Sequence, residues 1–215
     1  MHMNILILGA AGQVARLLEA KLLKQTDAYL VLYARNAHRR LKVLAPAREK
    51  LVDGDFHDTE ALIKAMQGVD LVYINDMGDK TATSAIASAM ERSGVKRVIA
   101  ASILGIHDEV PGAFGQWNEK MVGKRGIQKQ KESASVLEQS SLAYTLLRLT
   151  WLYNQNDNDR YMLTFKGEPF VGAQVTRQAV AQLIVDIIQD DSDRFIRASV
   201  GVSEPDTDWD KPSFY

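Results

Sequence analysis

Two glycines near the start of the chain lie where a strand would turn into a helix. Ile5–Leu8 is a continuous apolar run typical of a strand, Gly9 ends it, and an amphipathic helical pattern begins at about Ala11. A strand that turns sharply into a helix directs free backbone N–H groups and the positive end of the helix dipole into one crevice. Such a crevice suits the diphosphate of a dinucleotide, so these residues predict a dinucleotide-binding turn.

The spacing G-x-x-G-x-x-A gives each small residue a separate role. Gly9 allows the tight turn, Gly12 lets the backbone approach the phosphates, and Ala15 keeps the helix close to the strand. A glycine pattern alone is weak, and an ordinary strand–turn–helix is the alternative. The predicted diphosphate site comprises Gly9, Ala11, Gly12, Gln13 and Val14.

The residues after the second predicted strand select between the two nicotinamide dinucleotides. In this architecture a carboxylate at that point binds the adenosine ribose and favours NAD, whereas an arginine pairs with a 2′-phosphate and favours NADP. The strand Ala28–Ala34 is followed by Arg35 and Asn36, with no carboxylate nearby. A planar guanidinium suits a phosphate, so we predict that NADP(H) is preferred over NAD(H). A solvated basic turn is the alternative.

Three further cofactor candidates follow later strands. Asp55 comes after the third strand and is a candidate for the adenine amino group or for a turn. Asn75 ends the fourth strand, where it would contact the nicotinamide ribose or shape the turn. Ser102 follows the fifth strand and is the third cofactor candidate.

The elements that position these residues alternate along the chain. Continuously apolar strands, each followed by a helix, indicate a parallel sheet covered on both faces. The predicted strands are 5–8, 28–34, 50–53, 69–74, 95–101 and 143–149, and the predicted helices are 12–24, 59–66, 80–93, 120–140 and 176–190. Pro111–Gly115 and Asn154–Arg160 are predicted loops. We predict an α/β fold, a Rossmann-like doubly wound parallel sheet. Residues 1–215 would form one domain in which about 150–215 partly build the substrate side.

Several of these features resemble a known superfamily. The glycine turn, Arg35, the Asp-Gly-Asp at 53–55 and Ser102 resemble the short-chain dehydrogenases/reductases. The segment LEQSSLAYTLLRL at 137–149 resembles the L-x-x-S-G-L-x-Y-T-I-L-R-P segment of the atypical, NmrA-like NAD(P)H-binding branch. The resemblance extends over roughly residues 3–190. It implies a Rossmann fold, an NADP-type cofactor and a small C-terminal portion, and it leaves the reaction open, because this branch contains reductases, redox-sensing regulators and proteins of unknown role.

The proton relay of typical short-chain dehydrogenases is missing. Those enzymes use a tyrosine four residues before a lysine to exchange a proton with the substrate oxygen. No tyrosine lies between Tyr73 and Tyr144, so the pair is absent here. Ser102 fits the serine that orients the substrate. His107 is the candidate proton donor, since histidine titrates near neutral pH, although an exposed polar loop is the alternative.

Three residues are candidates for the substrate side. Trp117 would stack on a flat substrate or anchor its loop. Arg148 and Trp151 stand at and just after the end of the sixth strand, near the expected crevice. The alternative for Arg148 is that it ties down a loop or helix terminus.

Composition narrows the classes of partner. The 26 basic and 27 acidic residues give a net charge of −1, which argues against nucleic acid or a membrane surface as partner. The absence of cysteine excludes disulfides and thiolate chemistry, and the four histidines lack metal-ligand spacing, so we expect no metal. We find no targeting or membrane-spanning segment and expect a cytoplasmic protein.

These observations leave two main hypotheses and a weaker third. The first is an NADPH-dependent reductase of flat, small-molecule electron acceptors such as quinones or flavins, with solvent supplying the proton. The second is a non-catalytic NADP(H) sensor that acts through a protein partner. A sugar-nucleotide epimerase or dehydratase is the third, and the missing Tyr–Lys pair argues against it. The sequence leaves the oligomeric state open.

Overall fold

One eight-stranded sheet dominates the computed structural model, which describes residues 2–215. The ten strands are β1 (Asn4–Leu8), β2 (Tyr29–Ala34), β3 (Glu49–Asp53), β4 (Leu71–Ile74), β5 (Arg97–Ile103), β6 (Ala143–Leu149), β7 (Trp151–Tyr153), β8 (Met162–Phe165), β9 (Gln174–Thr176) and β10 (Ala198–Ser203). The central order is β3-β2-β1-β4-β5-β6-β10-β8, and only the β10–β8 pair in it is antiparallel. Strands β7 and β9 form a separate parallel pair.

Seven helices cover the two faces of the sheet. They are α1 (Gln13–Gln25), α2 (Ala37–Arg40), α3 (Thr59–Ala65), α4 (Lys80–Ser93), α5 (Gly112–Val122), α6 (Lys124–Gln139) and α7 (Arg177–Gln189). Helices α1 and α7 pack together over one apolar cluster, and α3, α4 and α6 lie over the other. Within residues 2–215, none of the helices has the length and apolar character needed to cross a bilayer. The layers confirm the predicted Rossmann-like doubly wound fold.

The order of the strands places a crevice beside β1. From β1 the chain moves outward to β2 and β3, and then returns to place β4 on the other side of β1. The connections therefore leave β1 and β4 in opposite directions. Ligands of open α/β sheets bind outside the carboxyl ends of the strands at such a switch point.

The region between β5 and β6 differs from the prediction. Pro111–Gly115 was expected to be a loop, but Pro111 is the N-cap of α5 and the helix starts at Gly112. Phe114 and Trp117, one turn apart on α5, pack into an apolar cluster, and this packing outweighs the local turn propensity. The predicted helix 120–140 is divided at Gly123, where φ is +78°.

The segment after residue 150 contains strands that the sequence did not reveal. Strands β8 and β10 extend the central sheet beyond β6, and β7 and β9 pair beside it. They have three to six residues each, and β10 reads ASVGVS. Because they contain small or polar residues, these strands lack the continuous apolar run that marks β1 or β5.

Candidate functional site

A cleft of about 440 Å³ opens at the switch point, above the carboxyl ends of β1, β2 and β4. Six of the predicted cofactor residues line it: Gly9, Ala11, Gly12, Arg35, Asp55 and Asn75. Arg40 and Asp76 also line it, together with residues that the sequence analysis did not assign to the cofactor, among them Phe56, His57 and Asp79. The fold thus brings together residues that are far apart in the chain.

The turn after β1 is tight, and its glycines have little space for a side chain. Gly9 has φ of +81°, a left-handed conformation that favours glycine, and its N–H donates to the Tyr33 carbonyl at 3.0 Å. The Gly12 N–H donates to the Gly9 carbonyl at 2.9 Å. A Cβ on Gly12 would overlap the side-chain amide of Asn75. The glycines therefore keep open a backbone-walled cradle.

The first turn of α1 presents amide groups to this cradle. Its N-cap is Gly12, which has no side chain, and no acidic residue stands in the first turn. The first amides of a helix have no partner within the helix, so an external acceptor must satisfy them. An anionic diphosphate meets that need and is favoured by the helix dipole. The cradle and the uncapped helix therefore fit a dinucleotide. Of the predicted residues, Gln13 is exposed, whereas the Val14 side chain lies in the core and leaves only its backbone for contact.

Asn75 is oriented by a buried tyrosine. The Tyr73 hydroxyl donates to Asn75 Oδ1 at 3.1 Å, so the Asn75 amide nitrogen faces Gly12. The backbone N–H of Asn75 donates to the Leu8 carbonyl at 3.0 Å, which continues the pairing of β1 and β4 past the strand end. The side chain is thus held as a donor on the wall of the cleft.

The end of the cleft beyond β2 is basic. Arg35 is exposed at this end, and Arg40 Nη1 donates to the Arg35 carbonyl at 3.3 Å. Arg16 Nη1 donates to the Arg40 carbonyl at 3.2 Å, so the guanidinium groups of Arg16 and Arg40 both contact this segment of backbone. Asn36 has φ of +54° and borders a shallow depression beside the cleft. The nearest strand-end carboxylate, Asp53, accepts the Ala37 N–H.

A histidine bridges two carboxylates at the rim. His57 Nδ1 is 2.7 Å from Asp55 Oδ1, and His57 Nε2 is 2.7 Å from Asp79 Oδ2. The hydrogen bonds to Asp55 and then Asp79 raise the pKa of His57, while the backbone and ring hydrogen bonds of His57 lower the pKa of Asp55. Asp55 therefore lines the cleft and closes a turn at the same time. Within residues 2–215, no group of three or more acidic and histidine side chains, this one included, is arranged to hold a metal ion.

Ser102 lies at the far side of the crevice from Arg35. Its side chain is buried at the carboxyl end of β5, and its Oγ donates to Gln130 Oε1 of α6 at 3.4 Å. Ser102, which was predicted to orient the substrate, is therefore hydrogen-bonded to a glutamine side chain. Gln130 was not identified from the sequence, because a polar residue on an amphipathic helix gives no local signal of a site.

The position of His107 corrects its expected role as a proton donor at the crevice. Gly105, with φ of +89°, turns the chain after β5, so that His107 faces β10 and the end of α6. His107 Nε2 lies 3.0 Å from Ser199 Oγ and 3.8 Å from Glu138 Oε1. Burial, followed by the charge of Lys166, lowers the pKa of His107. The ring contacts β10 and does not line the cleft.

The position of Arg148 also corrects the prediction. Its side chain is 0% exposed, so it contacts no substrate. Nη1 pairs with Glu109 at 2.7 Å, Nε donates to Ser199 Oγ at 3.1 Å, and Nη2 donates to the Thr164 carbonyl at 3.0 Å. Arg148 therefore ties β6 to the loop after β5 and to β8 and β10, as the alternative interpretation held. Burial opposes the ionised form of Glu109, yet the hydrogen bond and charge of Arg148 lower the pKa of that carboxyl.

Trp117 and Trp151 lie in one aromatic cluster outside the lining of the cleft. Their ring centroids are 4.9 Å apart, and Tyr215 packs edge-on against both at 5.2 and 5.1 Å. Trp151 Nε1 donates to Asn118 Oδ1 at 3.0 Å, which anchors β7 to α5. Both indoles are half-buried, so each serves the packing and keeps an accessible edge.

Of the site residues that only the structure identified, some had a recognisable signal in the sequence. Asp79 precedes the small-residue helix α4 and accepts from the N–H groups of Thr81 and Ala82, a capping position that the sequence marks. Tyr73 is an ordinary strand residue, and its hydrogen bond to Asn75 emerges only in the fold. His57 gave no signal because its two carboxylate partners come from different loops.

Comparison with known proteins gives relatives of similar length. Residues 9–191 match a family described as NAD(P)H-binding. A short-chain dehydrogenase/reductase from Veillonella parvula DSM 2008, in complex with NADP, is 37% identical, with 100% of both chains covered and a TM-score of 0.95. A Rossmann-fold NAD(P)-binding family protein from Shigella flexneri is 34% identical over 100% of both chains, with a TM-score of 0.82. ChuY, an anaerobillin reductase from Escherichia coli O157:H7, shares the fold at 22% identity and a TM-score of 0.77, over 98% of this chain and 100% of that chain. No curated protein sequence matches.

Proposed function

We propose that this chain, which belongs to the NAD(P)H-binding family of atypical short-chain dehydrogenases/reductases, is an NADPH-dependent reductase. Its acceptors would be flat molecules of the quinone or flavin type. The observation that carries the proposal is the glycine cradle at the uncapped start of α1, located at the switch point of the sheet. When bound there, the reduced cofactor supplies a hydride for the reaction.

Support for NADP(H) over NAD(H) comes from the basic end of the cleft. The ribose of the adenosine would lie beyond β2, where Arg35 and Arg40 provide guanidinium groups for a 2′-phosphate. Asp53 is the carboxylate that could bind the ribose hydroxyls and so favour NAD(H), but it already accepts a hydrogen bond from the Ala37 N–H. The Veillonella relative forms a complex with NADP.

The acceptor class follows from the chemistry that the site lacks. Ser102 pairs with a glutamine amide, which is not a proton donor of the Tyr–Lys kind. Reduction therefore suits acceptors whose reduced form takes its proton from water. The accessible edges of Trp117 and Trp151 offer an apolar contact for a flat ring.

The test is calorimetric titration with NADPH, NADP⁺, NADH and NAD⁺, followed by an acceptor screen. We expect NADPH and NADP⁺ to bind more tightly than NADH and NAD⁺, and NADPH to be oxidised in the presence of a quinone or a flavin. Equal affinities for the phosphorylated and unphosphorylated cofactors would contradict the cofactor preference. Absence of NADPH oxidation across quinones and flavins would contradict the reductase.

A second function is favoured by the same neutral Ser102–Gln130 pair. A site without an acid is also compatible with a protein that binds NADP(H) and signals its redox state to a protein partner. That function requires unequal affinity for NADPH and NADP⁺ with a change of shape or association. Small-angle scattering and sedimentation with each cofactor measure such a change, and an identical response to both forms argues against the sensor.

A further inference from the structure

A second cavity, of about 360 Å³, lies between the loop after β5 and the helices α5 and α6. Its lining shares no residue with the cofactor cleft. The loop contributes Gly105, α5 contributes Asn118, and α6 contributes Ile127 and Lys131, which stand one turn apart on the same face of that helix. The cavity is therefore a separate feature of the fold, outside the proposed cofactor site.

The side chain of Asn118 is buried, with 2% of its surface exposed, and its orientation is fixed. The indole N–H of Trp151 can only donate, so the atom of Asn118 that it meets at 3.0 Å is the carbonyl oxygen Oδ1. The Asn118 Nδ2 is 3.8 Å from the point that a Cβ on Gly105 would occupy, and Ile127 approaches the same point at 3.8 Å. Gly105, Asn118 and Ile127 all line the cavity, so Nδ2 faces into it.

The Asn118 amide donor has no partner of its own. Among residues 2–215, no oxygen accepts a hydrogen bond from Asn118 Nδ2, whereas Oδ1 of the same amide is engaged by Trp151. Buried polar groups are almost always hydrogen-bonded, and an unpaired one is costly. The cavity therefore presents a fixed donor that requires an acceptor atom from outside the chain.

The start of α6 adds positive charge at this cavity. The N-cap of α6 is Gly123, which makes no side-chain cap, and no acidic residue stands in the first turn to oppose the positive end of the helix dipole. Residues 120–131 contain five basic and no acidic side chains, and two of them, Lys124 and Lys131, line the cavity. An acceptor that carries negative charge is thus favoured over a neutral one.

Two carboxylates of the lining already have partners. Asp108 pairs with Lys131 at 2.7 Å, and Glu119 pairs with Lys124 at 3.4 Å. Asp108, Glu119 and Lys124 are exposed, and exposed ion pairs are weak. Because an ammonium group has three N–H donors, each lysine can keep its carboxylate partner and still bind a ligand oxygen.

We propose that this cavity is a second ligand site, which binds a small organic acid through its carboxylate at Asn118 Nδ2 and Lys131. The hydrocarbon body of the acid would lie against Ile127 and Val110. A carboxylate only accepts hydrogen bonds, which matches an amide and an ammonium that only donate here. Inorganic phosphate has no apolar body to place against Ile127 and Val110. The proposal does not depend on the reductase activity.

The test uses 4-fluorobenzoate as the probe, titrated by fluorine NMR, and 4-fluorobenzyl alcohol as a neutral probe with the same ring. We expect the acid to bind and the alcohol to bind much more weakly. The amide NMR signals of the Asn118 side chain and of the Gly105 backbone should shift with the acid. Saturating NADP⁺ should not displace it, because the two sites share no residue.

Three variants separate binding from structure. Lys131→Met should weaken binding of 4-fluorobenzoate at least about tenfold, as the loss of one charge-assisted contact does. Lys120→Met is the matched control, since Lys120 is exposed on α5, carries the same charge and does not line the cavity, and it should change nothing. At pH 8, Asn118→Asp keeps an oxygen for the Trp151 N–H but replaces Nδ2 by an oxygen that repels the probe. Binding should then be lost while the tryptophan fluorescence of the free protein stays the same.

Several results would overturn the second site. They are no binding of 4-fluorobenzoate by the wild type, equal affinity for the alcohol or for inorganic phosphate, displacement of the probe by NADP⁺, and equal weakening by Lys131→Met and Lys120→Met. Each of these outcomes concerns a ligand that is not reduced. They therefore leave the proposed reductase to its own test by NADPH oxidation.

Discussion

Gly12 is the residue at which the shape of the cleft depends most directly on one missing methyl group. A Cβ there would overlap the amide that Tyr73 holds in place on Asn75. We expect Gly12→Ala to lower NADPH affinity at least tenfold and to cost about 1–3 kcal/mol in the free energy of unfolding, as overpacking does. Titration calorimetry and urea denaturation measure the two effects.

The double variant Gly12→Ala, Asn75→Ala separates packing from binding. It removes the group with which the new methyl collides, so much of the lost stability should return. NADPH affinity should stay low, because the Asn75 donor is gone. Full recovery of NADPH affinity would show that Gly12 acts only through its clash with Asn75.

Arg35 tests how the cofactor is selected. Arg35→Asp replaces a guanidinium by a carboxylate where the 2′-phosphate of NADPH is proposed to lie. We expect NADPH binding to weaken by about 1.5–3 kcal/mol, the contribution of one charge-assisted contact, and NADH binding to change much less. Arg125→Asp, an exposed position on α6, is the control for the change in net charge. If both cofactors lose affinity equally, Arg35 does not recognise the 2′-phosphate.

Two elements of the fold, α1 and β3, each carry a buried carboxyl group, and the two groups affect one another. Glu19 of α1 and Glu49 of β3 are both buried, and Glu49 Oε2 accepts the N–H groups of Leu44 and Ala45 at 2.6 and 2.5 Å. Burial, followed by the hydrogen bond and charge of Glu49, raises the pKa of Glu19 to about 7. Glu49 Oε1 has no hydrogen-bond partner among residues 2–215, so we expect a proton on Glu19 to be shared with it and to fasten α1 to β3.

This shared proton predicts how stability changes with pH. The pKa of Glu19 is raised in the folded state above its ordinary value of 4.5, so its contribution is complete below about pH 4.5 and declines up to about pH 7. Each unit of difference corresponds to about 1.4 kcal/mol. Urea denaturation between pH 5 and 8 should show this decline. Glu19→Gln supplies an N–H donor at every pH and should flatten the slope, whereas an unchanged slope would place the titration elsewhere.

Arg148 joins β6 to the loop after β5 and to β8 and β10. Arg148→Met leaves the Glu109 carboxyl buried without its charged partner, so we expect a loss of about 3–5 kcal/mol in the free energy of unfolding. Arg160→Met is a matched control, since Arg160 forms an exposed ion pair with Asp206 at 3.3 Å and its loss should cost at most about 1 kcal/mol. Equal effects in thermal denaturation would contradict the role assigned to Arg148.

Arg148 also illustrates which parts of the structure could be predicted from the sequence. Strands β1, β2 and β4–β6 are continuous apolar runs and were found from the sequence, as was the glycine turn. The prediction stopped the sheet at β6, which would leave Arg148 facing a crevice. Strands β10 and β8, which lack a continuous apolar run, extend the sheet and enclose Arg148, and β10 also engages His107. The local pattern thus predicted the cofactor side well and the substrate side poorly, because the latter depends on distant pairings.

On the scale of the whole molecule, the cleft lies where both apolar clusters meet at the ends of β1. Strand β1 contributes Ile5 and Ile7 to one cluster and Leu6 and Leu8 to the other. A ligand bound at its end contacts α1 from the first face and the loops before α3 and α4 from the second. Cofactor binding should therefore stabilise the entire fold, by about 2.7 kcal/mol at a concentration one hundred times Kd.

Hydrogen exchange can show where this stabilisation begins. The amides of Gln13, Val14 and Ala15 open α1 without a side-chain cap, so in the free protein they should exchange faster than the amides in the middle of the helix. With saturating NADPH the diphosphate becomes their acceptor, and their exchange should slow more than that of the first turn of α7, which Thr176 already caps. Because global stabilisation would slow both helices together, the difference between them isolates the contact at α1. Equal slowing in the two helices would mean that NADPH binds without engaging the start of α1.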